Sequence, residues 1–448
     1  MSESKPARGF DLDSALRTLD SVRAPRVAGR VSELVGLVVR ATAPGARVGE
    51  SVLIERPRAA PLRAEVVGFV GEEVVLLPLG STEGIGPDSV VRPTGSSFSI
   101  PCGDALLGRT ISALGEPIDH AGLLDNTKLV AWPVERGSPD PLKRRRVSAA
   151  ISTGVRAIDG LLTLGEGQRV GLFSGPGLGK SSLLGLLARH STADVIVVGL
   201  VGERGREVRD FVEKQLDGDI RRRTIVVVAT ADAPPLVRLK CALCATAVAE
   251  YFRDQGKRVL LLLDSLTRVA RAQREVGLAA GEPPARQGYP PSVFALLPQL
   301  LERAGQGEYG SITAVYSVLT AADEGDDPIA DEIRALLDGH ITLSRDLAAR
   351  NHWPAIDVLR SLSRVMDDLI DDEHRLAAAR LRELCAIYER QRELVLLGAY
   401  RNGSDPATDQ ALALMPAIES YLRQSQQQRV TSTDARAGLI ELFSNAKR

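Results

Sequence analysis

The stretch Val170–Leu187, VGLFSGPGLGKSSLLGLL, constrains this chain more than any other. An apolar run of strand type, Val170 to Phe173, enters a turn containing Gly175, Gly177 and Gly179. The chain then passes through Lys180 and Ser181 into an apolar helix beginning near Ser182. Strand, glycine loop and helix in that order form the setting of a phosphate-binding loop. The run Gly175, Gly177, Leu178, Gly179, Lys180, Ser181 and Ser182 is the expected nucleotide-binding segment. Its backbone amides can turn inward on phosphates while the helix N-terminus adds partial positive charge. Lys180 is expected to reach the β- and γ-phosphates, and the Ser181 hydroxyl to hold Mg2+. Ser174 replaces the first glycine of the GxxxxGK[ST] pattern and Pro176 removes one amide, but the Gly179-Lys180-Ser181 core is intact.

A chain of 448 residues has room for several domains around that loop. Residues 1–24 are polar and then carry Leu12, Leu16 and Leu19 at helical spacing after a capping Asp11, which suggests an amphipathic helix whose apolar stripe is covered by a partner, a membrane surface or the chain's own next domain, with partner binding the expected role. Residues 25–95 change to short Val- and Leu-rich runs parted by Gly and Pro. Arg30–Arg40, Gly49–Glu55, Ala64–Val70 and Glu73–Leu77 read as strands of a small β-barrel. Residues 96–370 alternate apolar strands with helices: Asp194–Gly199, Thr224–Thr230, Val259–Leu263 and Ser311–Leu319 are apolar enough for a parallel sheet covered on both faces. The fold class is therefore α/β, a mostly parallel phosphate-loop core with a barrel before it and a helical domain, 371–448, after it. In that last part Glu373–Leu397 and Asp409–Gln424 read as helices around the polar turn Arg401–Thr408.

Three further residues complete a hydrolytic site. Asp264 ends the strand Val259–Leu263, where an acid can orient a phosphate-bound Mg2+. Glu203, in Gly202-Glu203-Arg204 directly after the strand Asp194–Leu200, can orient or deprotonate the attacking water. Arg364, in Ser361-Leu362-Ser363-Arg364, can stabilise charge on the transferred phosphoryl group, and another subunit can supply it.

Composition narrows the class. With 56 basic against 57 acidic side chains there is no cationic excess of the kind nucleic acid attracts. Lys143–Arg146 and Arg221–Arg223 read as solvated faces. The N-terminus has no signal segment and no apolar run approaches a membrane span, so a cytoplasmic protein is expected. Of four cysteines, Cys241 and Cys244 form a CxxC inside an apolar helical stretch, where packing is the expected role.

The assembled motifs resemble the ATPases of type III secretion, the flagellar export ATPase and its injectisome relatives. The resemblance runs from about Gly29 to Phe443 and rests on TGVRAIDGLLTLGEGQRVGLF (153–173), ADVIVVGLVGERGREVRDF (193–211), LLLDSLTRVARAQRE (261–275), GEPPARQGYPPSVFALLPQLLERAG (281–305), DDPIADEIRALLDGHI (326–341), PAIDVLRSLSRV (354–365) and GAYRNGSDP (398–406). It implies a fold related to the catalytic subunit of rotary ATP synthases, with ATP and Mg2+ as ligands. It implies Lys180 and Ser181 as phosphate and Mg2+ ligands, Glu203 as the catalytic glutamate, Asp264 as the metal-orienting acid and Arg364 as a finger entering a neighbour's site. Arg204 and Arg268 are further phosphate candidates. Trp353 stands where the family usually has an adenine-stacking tyrosine, and Gln424–Thr433 lacks the second ring of the rotary enzymes. Because one chain carries both Glu203 and Arg364, identical subunits can complete one another's sites, and a homohexameric ring is the simplest assembly. The resemblance further implies an N-terminal stator-like regulator, a central stalk protein facing Ala399–Thr408, an export gate and chaperone-cargo complexes as partners. It places the protein peripherally at the inner face of the cytoplasmic membrane. The competing expectations are an ion-translocating rotary subunit and a hexameric nucleic-acid translocase.

Overall fold

A computed structural model describes residues 28–216, 218–320 and 327–444. The proposed amphipathic helix at 1–24 and most of the acidic stretch after Leu319 lie outside the described residues. The chain divides into two compact units, one ending at Ser97 and the other beginning at Phe98.

The first unit is a closed barrel of six strands: β1 (Gly29–Val35), β2 (Val38–Ala41), β3 (Glu50–Arg56), β4 (Ala59–Val70), β5 (Glu73–Pro78) and β6 (Val90–Ser97). Their order is β1-β2-β5-β4-β3-β6, and β6 closes against β1 with Gly29 opposite Val91. Alternate residues point inward: Val39, Ala41, Val52, Ile54, Ala64, Val66, Leu76 and Val91 form a fully buried core. The single strand expected over Arg30–Arg40 is a hairpin. Gly36 has φ +59°, a left-handed turn that glycine adopts freely, so Val35 pairs with Val38 and the chain reverses.

The second unit is built on a sheet with eight strands in its main path. They are β7 (Thr110–Ser112), β8 (Arg169–Ser174), β9 (Val195–Glu203), β10 (Thr224–Thr230), β11 (Arg258–Asp264), β12 (Ser311–Leu319), β13 (Gly339–Leu343) and β14 (Ile356–Ser363). Among the described residues the order is β14-β13-β8-β12-β11-β9-β10-β7; all neighbours are parallel except β14, which runs antiparallel to β13. Every residue of β9 is buried, as a parallel strand covered on both faces requires. Helices α1 (Lys180–His190), α2 (Gly205–Gln215), α3 (Pro235–Asp254) and α4 (Leu266–Ala279) follow β8, β9, β10 and β11 in turn. Chain order and spatial order differ at β8, which lies between β13 and β12, so the C-terminal ends of β8, β11 and β9 open onto one crevice.

Helix α3 is buried on nearly every side, and Cys241 and Cys244 are fully buried within it. Burial pushes both thiols up, Cys244 to about 12, so they are packing groups rather than thiolates. The same helix carries Glu250, which accepts both Arg303 Nε (2.9 Å) and Nη2 (2.6 Å) in a bidentate pair sealed from solvent.

The C-terminal segment forms α5 (Asp372–Leu396), α6 (Pro406–Leu422) and α7 (Ser432–Ser444). Asp371 caps α5 through the His374 amide, and Asp405 caps α6 with Pro406 as its first residue. Leu381 and Leu384 of α5, Ile418 of α6 and Leu439 of α7 share one hydrophobic cluster with Leu172 of β8 and Leu184 of α1. The helices expected from 371 onward thus pack directly on the nucleotide sheet.

Candidate nucleotide and hydrolytic site

The phosphate loop spans Ser174, the last residue of β8, to Lys180, the first of α1. Gly177 (φ +78°) and Gly179 (φ +81°) both sit in the left-handed region. Gly179 is constrained twice, because a Cβ there would also lie 2.9 Å from the Trp353 ring. Leu178 is buried and anchors the loop, while Ser181 is exposed and Ser182 half-buried on the first turn of α1.

Lys180 Nζ lies 2.5 Å from Asp264 Oδ1 and 3.8 Å from Glu203 Oε1. Asp264 is the last residue of β11, and its Oδ1 also accepts the Ser317 hydroxyl of β12 at 2.6 Å. Glu203 ends β9 and faces Arg268 on α4, whose Nε is 3.2 Å from Oε1. The Arg268 stem crosses where a Cβ on Gly202 would be, 2.9 Å from its Cδ; Gly202 itself has φ +67°. Four elements therefore deliver two cations and two carboxylates to one nearly closed crevice.

Electrostatics single out Glu203. Burial is the largest cause raising the Glu203 carboxyl to about 7; a hydrogen bond to Glu207 and the charge on Asp264 push the same way, against Lys180 and Arg268. Glu207, three residues into α2's first turn, also accepts the Arg204 amide at 3.3 Å and is held below the usual range by its bond to Glu203. Glu207 thus favours the protonated form of Glu203. A carboxyl poised near neutrality is matched to proton transfer at neutral pH.

The other expected residues divide. Trp353 stands over the loop at Gly179, about a third exposed, with Nε1 donating to Asn351 Oδ1 at 2.8 Å. Arg204 points away: its side chain is 80% exposed and, among the described residues, pairs only with Glu207, at 4.0 Å. Arg364 follows β14, which runs back from the loop end of the sheet. Its amide bonds to Asp338 O, and the Asp338 amide to Arg169 O, at the start of β8. Five residue steps along β8 separate that level from Ser174, roughly 17 Å at the rise of an extended strand. Arg364 and Lys180 of one chain accordingly mark opposite ends of the sheet. Sequence reasoning missed Glu207 and Ser317. Glu207 had a signal, a glutamate at the third helical position after a strand end; Ser317 had none within its apolar strand.

The oxygens gathered here suit a hard divalent cation. Besides Asp264 and the Ser181 hydroxyl, Ser265 Oγ is buried beside Asp264 without a hydrogen-bond partner among the described residues, as is Ser174 Oγ at the start of the loop. An all-oxygen donor set fits Mg2+. Among the described residues no three His, Cys, Asp or Glu side chains form a metal cage.

Comparison with known proteins points one way. Residues 154–363 match the nucleotide-binding domain of the ATP synthase alpha/beta family, residues 31–95 its β-barrel domain, and residues 370–441 the T3SS EscN ATPase C-terminal domain. The chain is 50% identical over 409 residues to a type 3 secretion system ATPase of Xanthomonas euvesicatoria, covering 91% of this chain and 92% of the relative. It is 46% identical over 419 residues to a flagellum-specific ATP synthase of Bacillus subtilis, covering 93% and 95%. Among solved structures it resembles the assembled ATPase EscN of the enteropathogenic E. coli type III secretion system. That match has a TM-score of 0.88 and 43% identity, covering 92% of this chain and 99% of EscN. The complex of EscN with its central stalk EscO matches with a TM-score of 0.85.

Proposed function

The chain belongs to the family of type III secretion and flagellar export ATPases, and on that premise we propose that it hydrolyses ATP to drive protein export as a homohexameric ring. The observation that carries the catalytic reading is Glu203, a buried carboxyl poised near neutrality between Lys180 and Arg268 where β9 opens onto the phosphate loop. The loop amides and Lys180 hold the phosphates, Lys180 exchanging its bond to Asp264 for phosphate oxygens. Ionised Glu203 orients the attacking water and receives its proton, which Glu207 can share. Trp353 offers its face to the base. Magnesium, held by Ser181 and oriented by Asp264, would neutralise charge on the β- and γ-phosphate oxygens.

Arg364 completes the site from a neighbouring copy. Its place at the far end of the sheet from its own Lys180 supports donation between subunits over donation within one. The assembled EscN, and its complex with a central stalk, support a ring and a stalk partner for this chain as well. We extend the reading to a stator-like regulator bound by residues 1–24, an export gate and chaperone-cargo complexes, at the inner face of the cytoplasmic membrane. No described helix is long and apolar enough to cross a membrane. A net charge of −1 disfavours the nucleic-acid translocase, and the presence of base and finger in one chain disfavours a rotary subunit dependent on a second chain type.

The test is Glu203→Gln. It should bind ATP within about threefold of the parent while hydrolysis falls by roughly a hundredfold or more, the loss typical of a removed general base. Hydrolysis at the parent rate would refute the role.

A further inference from the structure

A cavity of about 310 Å³ lies between the segment Ser344–Arg350, the strand β14 and helices α5 and α6, apart from the Lys180 cluster. Its floor is apolar, from Leu347, Val358 and Met415. Two guanidiniums reach its rim from different elements, Arg350 ahead of β14 and Arg392 on α5. Both lean on one carboxylate, Glu389, at 4.0 and 3.6 Å, beyond hydrogen-bonding distance. Arg350 otherwise donates only Nε, to Asp346 O at 3.3 Å, so most N–H donors of the pair lack an acceptor among the described residues.

The acids around the cavity are differently placed. Asp357 accepts the amides of Leu359 and Arg360 at 3.0 Å each, and Glu419 accepts Arg423 at 3.1 Å. Asp346 and Glu389 are exposed, and Glu389 stands between Arg350 and Arg392. Three guanidiniums, Arg360 among them, and four carboxylates line the cavity, and the N–H donors without an acceptor among the described residues are those of Arg350 and Arg392, above an apolar floor. We propose that this cavity is a binding site for a small amphipathic anion, an aromatic or alicyclic body on the floor with its carboxylate, sulfonate or phosphate head between Arg350 and Arg392. His352 lines the same cavity and precedes Trp353, which touches Gly179. An occupant would brace the base-stacking loop from behind and link it to α5 and α6.

Anilinonaphthalene sulfonate has the required shape and charge, and its emission reports binding without reference to hydrolysis. Titrated into the folded full-length chain it should saturate, and neutral N-phenylnaphthylamine should bind about tenfold more weakly or worse. The Arg350→Gln/Arg392→Gln variant, altered only at the partly exposed rim, should lose roughly tenfold in affinity for the sulfonate. Met415→Trp should lose it by filling the floor. Lys180→Ala should bind the probe as the parent does, separating this site from the nucleotide reading. Parent affinity in the double arginine variant, equal binding of the neutral probe, or loss of binding in Lys180→Ala would each overturn the proposal.

Discussion

Glu203 gives the site a pH dependence whose sign and size follow from its surroundings. With its carboxyl raised to about 7, the reactive carboxylate is half formed at pH 7. One unit lower it is about one-tenth formed, so kcat/KM at pH 6 should be roughly a fifth of that at pH 7, falling tenfold per unit below. The parameter kcat/KM reports the free enzyme, the state described here. Because ATP also titrates, the decisive comparison is Glu207→Ala. That variant removes the partner that stabilises protonated Glu203, so its acidic limb should shift to lower pH while the titration of ATP is unchanged. Steady-state hydrolysis at saturating Mg2+ between about pH 5.5 and 8.5, in three-component buffers of constant ionic strength, reads both limbs. A parent profile flat from pH 6 to 8, or superimposable limbs in parent and variant, would refute the assignment of Glu203 as the neutral-range base and of Glu207 as its proton-sharing partner.

Mixing Arg364→Ala with Glu203→Gln subunits should restore part of the activity neither has alone, since some interfaces then join an intact arginine to an intact glutamate; a mixture as inactive as its components would place Arg364 outside its neighbour's site. Gly179→Ala should cost about 1–2 kcal/mol from left-handed backbone strain alone, and more from the 2.9 Å approach to Trp353. Thermal melts should show that loss, with Trp353→Ala relieving the steric part but not the backbone part. Glu250→Ala strands the Arg303 guanidinium in the core and should destabilise the second unit by roughly 3–5 kcal/mol in urea denaturation, whereas an unchanged midpoint would mean that water reaches Arg303.

What the sequence disclosed follows how local each cause is. Gly177, Gly179 and Lys180 were legible because loop, strand and helix are contiguous. Asp264 and Glu203 were legible as acids at ends of apolar strands, which a parallel sheet must bring to one edge. The hairpin at Gly36 was hidden inside an apolar run, since Val35 and Leu37 flank the turn and both are exposed. The outward course of Arg204 was illegible because its direction is set by the amide bond to Glu207, and Ser317 because nothing in β12 marks which residue lies beside Asp264. Helix α7 has only Ala435 and Leu439 buried, too little apolar periodicity to stand out.

The course of β14 carries a consequence for how damage spreads through an assembly. Its chain starts beside one nucleotide loop and ends, at Arg364, facing away from it. In the proposed ring a copy defective only at Lys180 silences one centre, and a copy defective only at Arg364 silences one centre next door. A misfolded or truncated copy lacking both silences two. Poisoning by such copies would thus be steeper than their abundance, and a cell making a few faulty chains would lose export capacity at about twice the rate at which it accumulates them, before any cooperative loss.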